Sequence, residues 1–354
     1  MELQKFINDN TDYISKFKEN NLYTKKYKDL VLVKANYDDR RIYENKEEDY
    51  WKMYCRGSII NTKTHKLVCI PPVKAKELNK EEFDNYSGNI EIQELIDGTM
   101  INLFYYNDNW MISTRSNIGG YNKWNSKTFK QMYEECPKLD YEDLNKKHCY
   151  SFVMKHIDNR NISKVNDNKL YLVEVYNLEK CERLSIDNYP KNIESVDNLL
   201  SYYIDKMEDF NRNFNIKGYT IKNDNRRYKL INPNYKKVKD LKVNFSGDLI
   251  TYIELRKNGN LTDYLNYFPE KNKIFKSYRD KIHILSNELY NNYKGVFILK
   301  NKEKKDIPYH LKPFVYELHS VYLKTKKPTS WSDIKDFIYN LPSKRLVFSL
   351  NYMN

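Results

Sequence analysis

The chain has 354 residues, enough for a full hydrophobic core and two domains. Its net charge of +13 favours nucleic acid, phosphate or an anionic surface as partner, although a lysine-rich solvated surface would give the same charge. Five cysteines without a CxxC pair argue against a zinc ribbon or a disulfide framework. With no apolar run long enough to span a membrane and no signal-peptide pattern, we expect a cytoplasmic protein without membrane contact.

The first part of the chain is polar, and its apolar residues follow a helical spacing. Leu3, Phe6 and Ile7 share one face, and Tyr13 and Phe17 continue the pattern. We therefore expect a helical region over residues 1–46.

Residues 51–70 have the pattern of a β-hairpin, with two apolar runs separated by a polar turn. Arg56 and Gly57 lie in the first run, and Lys74 follows the second. On these residues alone, the arginine and the lysine are either surface cations or ligands of an anion.

A second hairpin is predicted over residues 100–115, where two β-rich runs flank Asn107-Asp108. Asp97 and Gly98 stand at its entrance, where the glycine would allow the backbone to approach a ligand. The alternative is an ordinary Asp-Gly turn. Arg115 ends the hairpin, and its planar guanidinium suits phosphate oxygens.

Later segments complete the pattern of a β-rich core followed by helices. Residues 150–160 form a strand that runs into a turn at Arg160, and further strands are predicted at 216–221 and 227–235. From about residue 244, apolar stripes at helical spacing predict a helical region.

The segment Glu94-Leu95-Ile96-Asp97-Gly98 resembles the Lys-x-Asp-Gly motif of covalent nucleotidyltransferases, with Leu95 in place of the lysine. In that superfamily the lysine attacks the α-phosphate of a nucleotide and holds the nucleotide as a phosphoramidate. The surrounding segments are similar to RNA ligases of the phage tRNA-repair kind, and proteins of large DNA viruses look similar too.

Two further motifs of these ligases are partly present. Arg56, Gly57 and Lys74 match an upstream Arg-Gly element and its lysine, although the aromatic residue expected after the lysine is absent. Arg160 matches the end of the third motif, but Val153 replaces its glutamate, which the family uses at the ribose and the metal.

The last two motifs carry further departures. Gly218 matches the fourth motif, but Lys217 replaces the glutamate that helps to hold the metal. In the fifth motif, Tyr235 sets a register in which Lys229 is the first lysine and the second is lost. The alternative register uses Arg227 and Lys229. The resemblance also implies that Arg115 contacts phosphate.

The resemblance implies an α+β fold, with an antiparallel-sheet nucleotidyltransferase core (an ATP-grasp-like ligase core) and a helical C-terminal domain. We predict a helical N-terminal region at 1–46, an RNA ligase-like domain at 47–243 and a helical domain at 244–354.

The chain lacks the nucleophilic lysine of the motif at Leu95 and the two glutamates at Val153 and Lys217. We therefore predict no catalytic residue and no metal site. We predict a catalytically degenerate pseudo-ligase that binds RNA ends or nucleotide in a basic cleft. The residues alone identify no cofactor. The resemblance implies ATP and magnesium as cofactors. The binding residues we predict are Arg56, Lys74, Asp97, Gly98, Arg115, Arg160 and Lys229.

Two alternatives remain open at this point. One is an active ATP-dependent RNA ligase or capping-type nucleotidyltransferase that uses a displaced lysine, such as Lys217 or Lys74. The other is a structural or interaction protein of a virion, with the cleft a relic. Whether the chain is an enzyme is therefore undecided, with the lost groups favouring no activity. The expected partners are RNA or nucleotide and viral proteins, in the host cytoplasm or the virion.

Overall fold

The computed structural model forms two compact units, Met1–Lys237 and Val238–Asn354. The domain limits expected at 46/47 and 243/244 remain predictions. The structure describes residues 1–35, 47–84, 91–122, 127–137, 139–186, 194–195, 213–223, 226–242 and 247–352.

The N-terminal region is helical only in its first half. Helices α1 (Glu2–Asp9) and α2 (Tyr13–Glu19) are followed by strands β1 (Leu22–Tyr27) and β2 (Leu30–Ala35). The helical prediction is therefore wrong for residues 22–35. The reason lies in Leu30-Val31-Leu32-Val33, which is buried on both faces and contains β-branched residues that favour strands.

The remaining strands of the first unit fall between residues 56 and 231, with a 3-10 helix at Glu47–Tyr54 before the first of them. In chain order they are β3 (Arg56–Asn61), β4 (Lys66–Cys69), β5 (Lys76–Glu77), β6 (Glu91–Glu94), β7 (Thr99–Tyr106), β8 (Asn109–Thr114), β9 (Asn117–Ile118), β10 (His148–Lys155), β11 (Lys169–Asn177), β12 (Glu182–Leu184), β13 (Glu194–Ser195), β14 (Gly218–Asn223) and β15 (Arg226–Ile231).

These strands form three sheets. The N-terminal sheet has the order β1-β2-β3-β4 and is antiparallel. The large sheet has the order β12-β11-β10-β7-β8-β9, with β13 parallel to β11. The small sheet has the order β5-β15-β14-β6, in which only the β5–β15 pair is parallel.

Apolar side chains pack the N-terminal sheet against the large sheet. Leu32 and Ile59 from the first meet Phe104 from the second in one buried cluster. Another buried cluster joins the large sheet to helix α4 (Phe129–Glu134), which follows a short helix, α3 (Lys80–Asp84), in the chain. This packing fixes the strand ends that carry the predicted site residues.

Helix α5 (Pro233–Leu241) crosses the division between the units. The regular elements that the structure describes in the second unit are helices. The antiparallel sheets and these C-terminal helices confirm the predicted α+β fold class. Within the described ranges, each helix is too short or too polar to cross a lipid bilayer. The helices are α6 (Asp248–Lys257), α7 (Leu261–Tyr267), α8 (Asn272–Tyr293), α9 (Lys312–Thr325), α10 (Trp331–Asn340) and α11 (Ser343–Tyr352).

Candidate phosphate-binding site

Four predicted binding residues from distant parts of the chain lie close together. Arg56 begins β3, Lys74 follows β4, Arg115 follows β8, and Lys229 lies in β15. Burial lowers the pKa of Lys74 to about 8, and the positive charges of Arg56, Lys229 and Arg115 act in the same direction. We call these four residues the cationic cluster.

A bulge at Gly57 brings Arg56 against the turn that carries Arg115. Val33 pairs with Ser58 but Lys34 pairs with Arg56, so Gly57 is the extra residue of the ladder. Its φ is +102°, and a Cβ at this position would lie 2.8 Å from the Cα of Arg115. Only glycine permits this approach.

One acidic side chain partly offsets the cationic cluster. The Glu77 carboxylate lies 2.9 Å from the Lys229 ammonium, because the parallel pairing of β5 and β15 places these two residues opposite each other. The sequence did not predict Glu77 as a residue of this site. A two-residue strand gives no periodic pattern, and the pairing of β5 with β15 is a contact between distant parts of the chain.

Asp97 is buried and joins three segments of the first unit. Its Oδ2 accepts hydrogen bonds from the backbone amides of Ile162 (2.9 Å) and Ser163 (3.0 Å). Its Oδ1 accepts one from the Tyr235 hydroxyl at 2.7 Å and lies 3.6 Å from the Lys217 ammonium. Nearly all the hydrogen-bonding capacity of this carboxylate is therefore used within the protein.

The same contacts keep Asp97 ionised. Burial alone would raise the pKa of its carboxyl group, but Lys217, the Tyr235 hydroxyl and the two amides lower it below its usual value. Burial and the neighbouring carboxylate raise the pKa of Tyr235, which therefore keeps its proton. The negative charge of Asp97 is thus balanced by Lys217, and its hydrogen bonds hold the 162–163 backbone and Tyr235 in place. We call this arrangement the Asp97 anchor.

Lys217 stands beside the position where the nucleophilic lysine of the motif is missing. The Leu95 amide donates a hydrogen bond of 2.8 Å to the carbonyl oxygen of Gly218, which continues the pairing of β6 with β14. The ammonium of Lys217, the residue just before β14, thus reaches the carboxylate of Asp97, two residues beyond Leu95. Leu95 itself is half-buried and has no nucleophilic atom.

Gly98 and Val153 belong to the packing of the large sheet. A Cβ on Gly98 would lie 2.4 Å from the carbonyl oxygen of Met154 in β10, so the close approach that the glycine permits is to a protein strand. Val153 is buried in an apolar cluster with Ile96 and Val173. The position that holds a glutamate in the family is thus an apolar contact here.

Arg160 shapes the loop that Asp97 holds. Its Nε and Nη2 donate to the carbonyl oxygen of Ile162, at 3.2 and 3.0 Å. The Ile162 amide in turn donates to Asp97. The structure therefore brings Arg160 to the Asp97 anchor, while Arg56, Lys74, Arg115 and Lys229 form the cationic cluster.

The residues at the implied metal position do not fit a divalent cation. Val153 offers no oxygen, Lys217 is a cation, and Asp97 is already engaged. A separate group, Glu135, His156 and Asp158, has ligand atoms within 4.8 Å of one another.

That separate group is already occupied by protein contacts. The ammonium of Lys127 lies 2.9 Å from Glu135 and 2.8 Å from Asp158. Both ring nitrogens of His156 also have partners, since Nδ1 accepts from the Asp158 amide and Nε2 contacts Glu135. The lysine fills the position that a metal ion would need.

Sequence reasoning also missed a buried ion pair of the first unit. The Lys222 ammonium lies 3.8 Å from the Glu174 carboxylate and donates to the carbonyl oxygen of Val173. Burial lowers the pKa of Lys222 to about 8, although Glu174 acts in the opposite direction. Glu174 therefore faces the small sheet.

A sequence relative agrees with the resemblance to RNA ligases. A protein of Autographa californica nuclear polyhedrosis virus, named as a bifunctional polynucleotide kinase/RNA ligase, is 22% identical over 373 residues. The match covers 91% of this chain and 51% of the relative, so the chain spans about half the length of that protein. The resemblance predicted from the motifs is confirmed. No protein-family profile matches the chain.

Solved structures with a similar fold include three ligases. A protein of Aquifex aeolicus named as an ATP-dependent DNA ligase is 15% identical, with 82% of this chain and 77% of that chain covered and a TM-score of 0.46. An archaeal ATP-dependent RNA ligase is 10% identical, with 76% and 70% covered and a TM-score of 0.46. A Naegleria gruberi RNA ligase is 15% identical, with 48% and 58% covered and a TM-score of 0.33. At these scores the likeness carries no functional weight.

Proposed function

We propose that this RNA ligase-like protein binds the phosphate groups of a nucleotide or an RNA end in the cationic cluster, without forming a covalent lysyl-nucleotide. The observation that carries the proposal is the grouping of four cations from separate segments, Arg56, Lys74, Arg115 and Lys229. Gly57 brings β3 against Arg115, and the charges of Arg56, Lys229 and Arg115 all act on Lys74. An anion with several oxygens suits this cluster, because guanidinium and ammonium groups form their strongest hydrogen bonds to such oxygens.

The residues around Leu95 support binding without transfer. A covalent intermediate needs an amine nucleophile and a cation to stabilise the leaving pyrophosphate. Leu95 lacks the amine, and Val153 and Lys217 lack the carboxylates that would hold a metal ion. The phosphates of ATP suit the cationic cluster, and the protein's own cations would neutralise them.

Binding is tested by titrating the full chain with ATP in a calorimeter. We expect Arg56→Ala and Lys229→Ala each to weaken binding about tenfold or more, since a charge-assisted hydrogen bond contributes about 1.5–3 kcal/mol. The matched control is Lys147→Ala, an exposed lysine paired with Glu179 at 2.8 Å, which should leave the affinity unchanged. Equal affinities in all variants would refute the proposed site.

A second candidate is an active nucleotidyltransferase with a displaced lysine. Two observations favour it: the lowered pKa of Lys74 raises its free-amine fraction, and Lys217 lies beside the lost nucleophile. In this reaction a lysine nitrogen would attack the α-phosphorus of ATP. A P–N bond would form, the P–O bond to pyrophosphate would break, and the amine proton would pass to solvent.

Lys217 is the weaker of the two nucleophiles. Its ammonium lies 3.6 Å from Asp97 and must lose both its proton and that partner before it attacks. Peptide mapping after incubation with ATP separates the candidates, because an adduct would remain on a peptide that contains either Lys74 or Lys217.

A further inference from the structure

A groove on the N-terminal sheet lies outside the site described above. Its volume is about 270 Å³, and its lining residues are Tyr23, Thr24, Lys25, Leu32 and Lys34. In the antiparallel register, Tyr23 lies opposite Lys34 and Lys25 lies opposite Leu32. Residues two apart on a strand project from the same face, so these four side chains line one side of the hairpin.

The groove combines an exposed aromatic ring with positive charge. Tyr23 is 56% exposed although it lies in a strand, and Leu32 is buried beneath the groove. Lys25 donates to the Asn117 side chain at 3.2 Å, and Lys34 to the Ser116 hydroxyl at 3.3 Å. Both acceptors are neutral, so these two hydrogen bonds do not offset the positive charges of the lysines.

The groove is continuous with the cationic cluster. Lys34 is the register partner of Arg56, and neighbouring strands lie about 5 Å apart. Ser116, which accepts from Lys34, directly follows Arg115 in the chain. Positive side chains therefore extend from Lys25 through Lys34 to Arg56 and Arg115.

We infer that this groove binds single-stranded RNA, with one base stacked on Tyr23 and the adjoining phosphates on Lys25 and Lys34, while the terminal phosphate lies in the cationic cluster. The inference rests on the proposed function and extends it from a phosphate group to a strand. An exposed ring flanked by cations suits an unpaired base, because every base offers a π-face and its phosphates follow the positive charges. A duplex would keep its bases stacked on each other and away from the ring.

The test measures fluorescence anisotropy of a labelled 5′-phosphorylated oligoribonucleotide of about 12 nucleotides, and ATP binding in parallel. We expect Tyr23→Ala to weaken RNA binding about tenfold and to leave ATP binding unchanged, since stacking contributes to the strand alone. Tyr23→Phe should retain the affinity because it keeps the ring. Tyr309→Ala, which removes a tyrosine that is 69% exposed in the second unit, is the matched control.

The lysines are tested by the salt dependence of RNA binding. Lys25→Ala and Lys34→Ala should each reduce the slope of log affinity against log salt by about 0.7, the value for one phosphate of a single strand. If Tyr23→Ala binds RNA like the wild type while ATP still binds, the groove inference fails and the proposed function stands. If the wild type binds neither ATP nor RNA, both fail. A Tyr23→Ala variant that loses RNA and ATP affinity equally would also overturn the groove assignment.

Discussion

The carboxylate of Asp97 accepts hydrogen bonds from two backbone amides and one hydroxyl and faces one ammonium group. The sequence placed this residue among the binding groups because of its motif. Its contacts in the structure indicate a structural role, because they hold the 160–163 loop and Tyr235 near the end of β6. The spacing of Tyr235 was visible in the sequence, but its bond to Asp97 across the fold was not.

We predict that Asp97→Asn destabilises the protein by about 2–4 kcal/mol, because an amide cannot accept all three bonds and removes the negative charge that faces Lys217. The pKa of Asp97 is lowered on folding, so its contribution is complete at neutral pH and is lost as pH falls through the folded-state pKa. Urea unfolding at pH 7 measures the effect. Asp108→Asn, in an exposed turn, is the control, and equal midpoints for the two variants would contradict the anchor.

If Lys74 contacts the proposed phosphate ligand, its lowered pKa makes the binding depend on pH. Its pKa of about 8 means that the ammonium is charged at pH 7 and largely neutral at pH 9. Phosphate groups, with a second pKa near 6, are about nine-tenths ionised at pH 7 and almost fully ionised at pH 9, so their own charge changes little across this range. We therefore predict that ATP affinity falls severalfold as the pH rises from 7 to 9.

The control for this pH effect is Lys74→Met, which keeps the bulk of the side chain and removes its charge. Its ATP affinity should be lower at pH 7 and flat over the same range. A wild-type affinity that is independent of pH would show that Lys74 does not contact the anion.

At the scale of elements, close approaches between strands fix the site. Gly57 lets β3 pass against the turn at Arg115, and Gly98 lets the entrance of β7 pass against β10. The sequence suggested that a ligand approaches Gly98. A glycine indicates that another group passes close to the backbone, but it does not show whether that group belongs to a ligand or to the protein. Which strand lies opposite it is decided by sheet order, and that is not local information.

We predict that Gly98→Ala destabilises the protein by about 3 kcal/mol, because the added methyl group would meet the Met154 carbonyl oxygen at 2.4 Å. Thermal unfolding measures the change. Gly295→Ala is the control, since the nearest atoms there are side-chain atoms at 3.3 Å. A melting temperature for Gly98→Ala within the range of that control would mean that β10 does not pack here as described.

At the scale of the whole molecule, the sequence predicted the α+β class, the helical C-terminal part and a set of cations that the fold brings together. Local patterns were enough for strands such as β7 and β8 because their alternation and turn signals are strong. Local patterns failed at residues 22–35. The charged residues there follow a helical segment, so the hairpin of β1 and β2 was not predicted. The buried pair of Glu174 and Lys222 was also invisible, because it joins two sheets.

The net charge of +13 favours attraction to nucleic acid, and we propose that the phosphates bind at the cationic cluster. If the four cations of the cluster together with Lys25 and Lys34 each neutralise one phosphate charge, log RNA affinity should fall with log salt with a slope of about −4. We predict that the double variant Arg56→Ala/Lys229→Ala reduces that slope by about 1.4 units. An unchanged slope would mean that the phosphates bind elsewhere on the basic surface.

The most direct test of phosphate binding without transfer is intact-mass spectrometry of the full chain after incubation with ATP and magnesium, under conditions in which calorimetry shows ATP bound. We predict an unchanged protein mass, because Leu95 supplies no amine and no acid at positions 153 or 217 supports a metal ion. A mass gain of one nucleotidyl group, abolished by Lys74→Met or by Lys217→Met, would contradict that conclusion and identify the protein as an active nucleotidyltransferase.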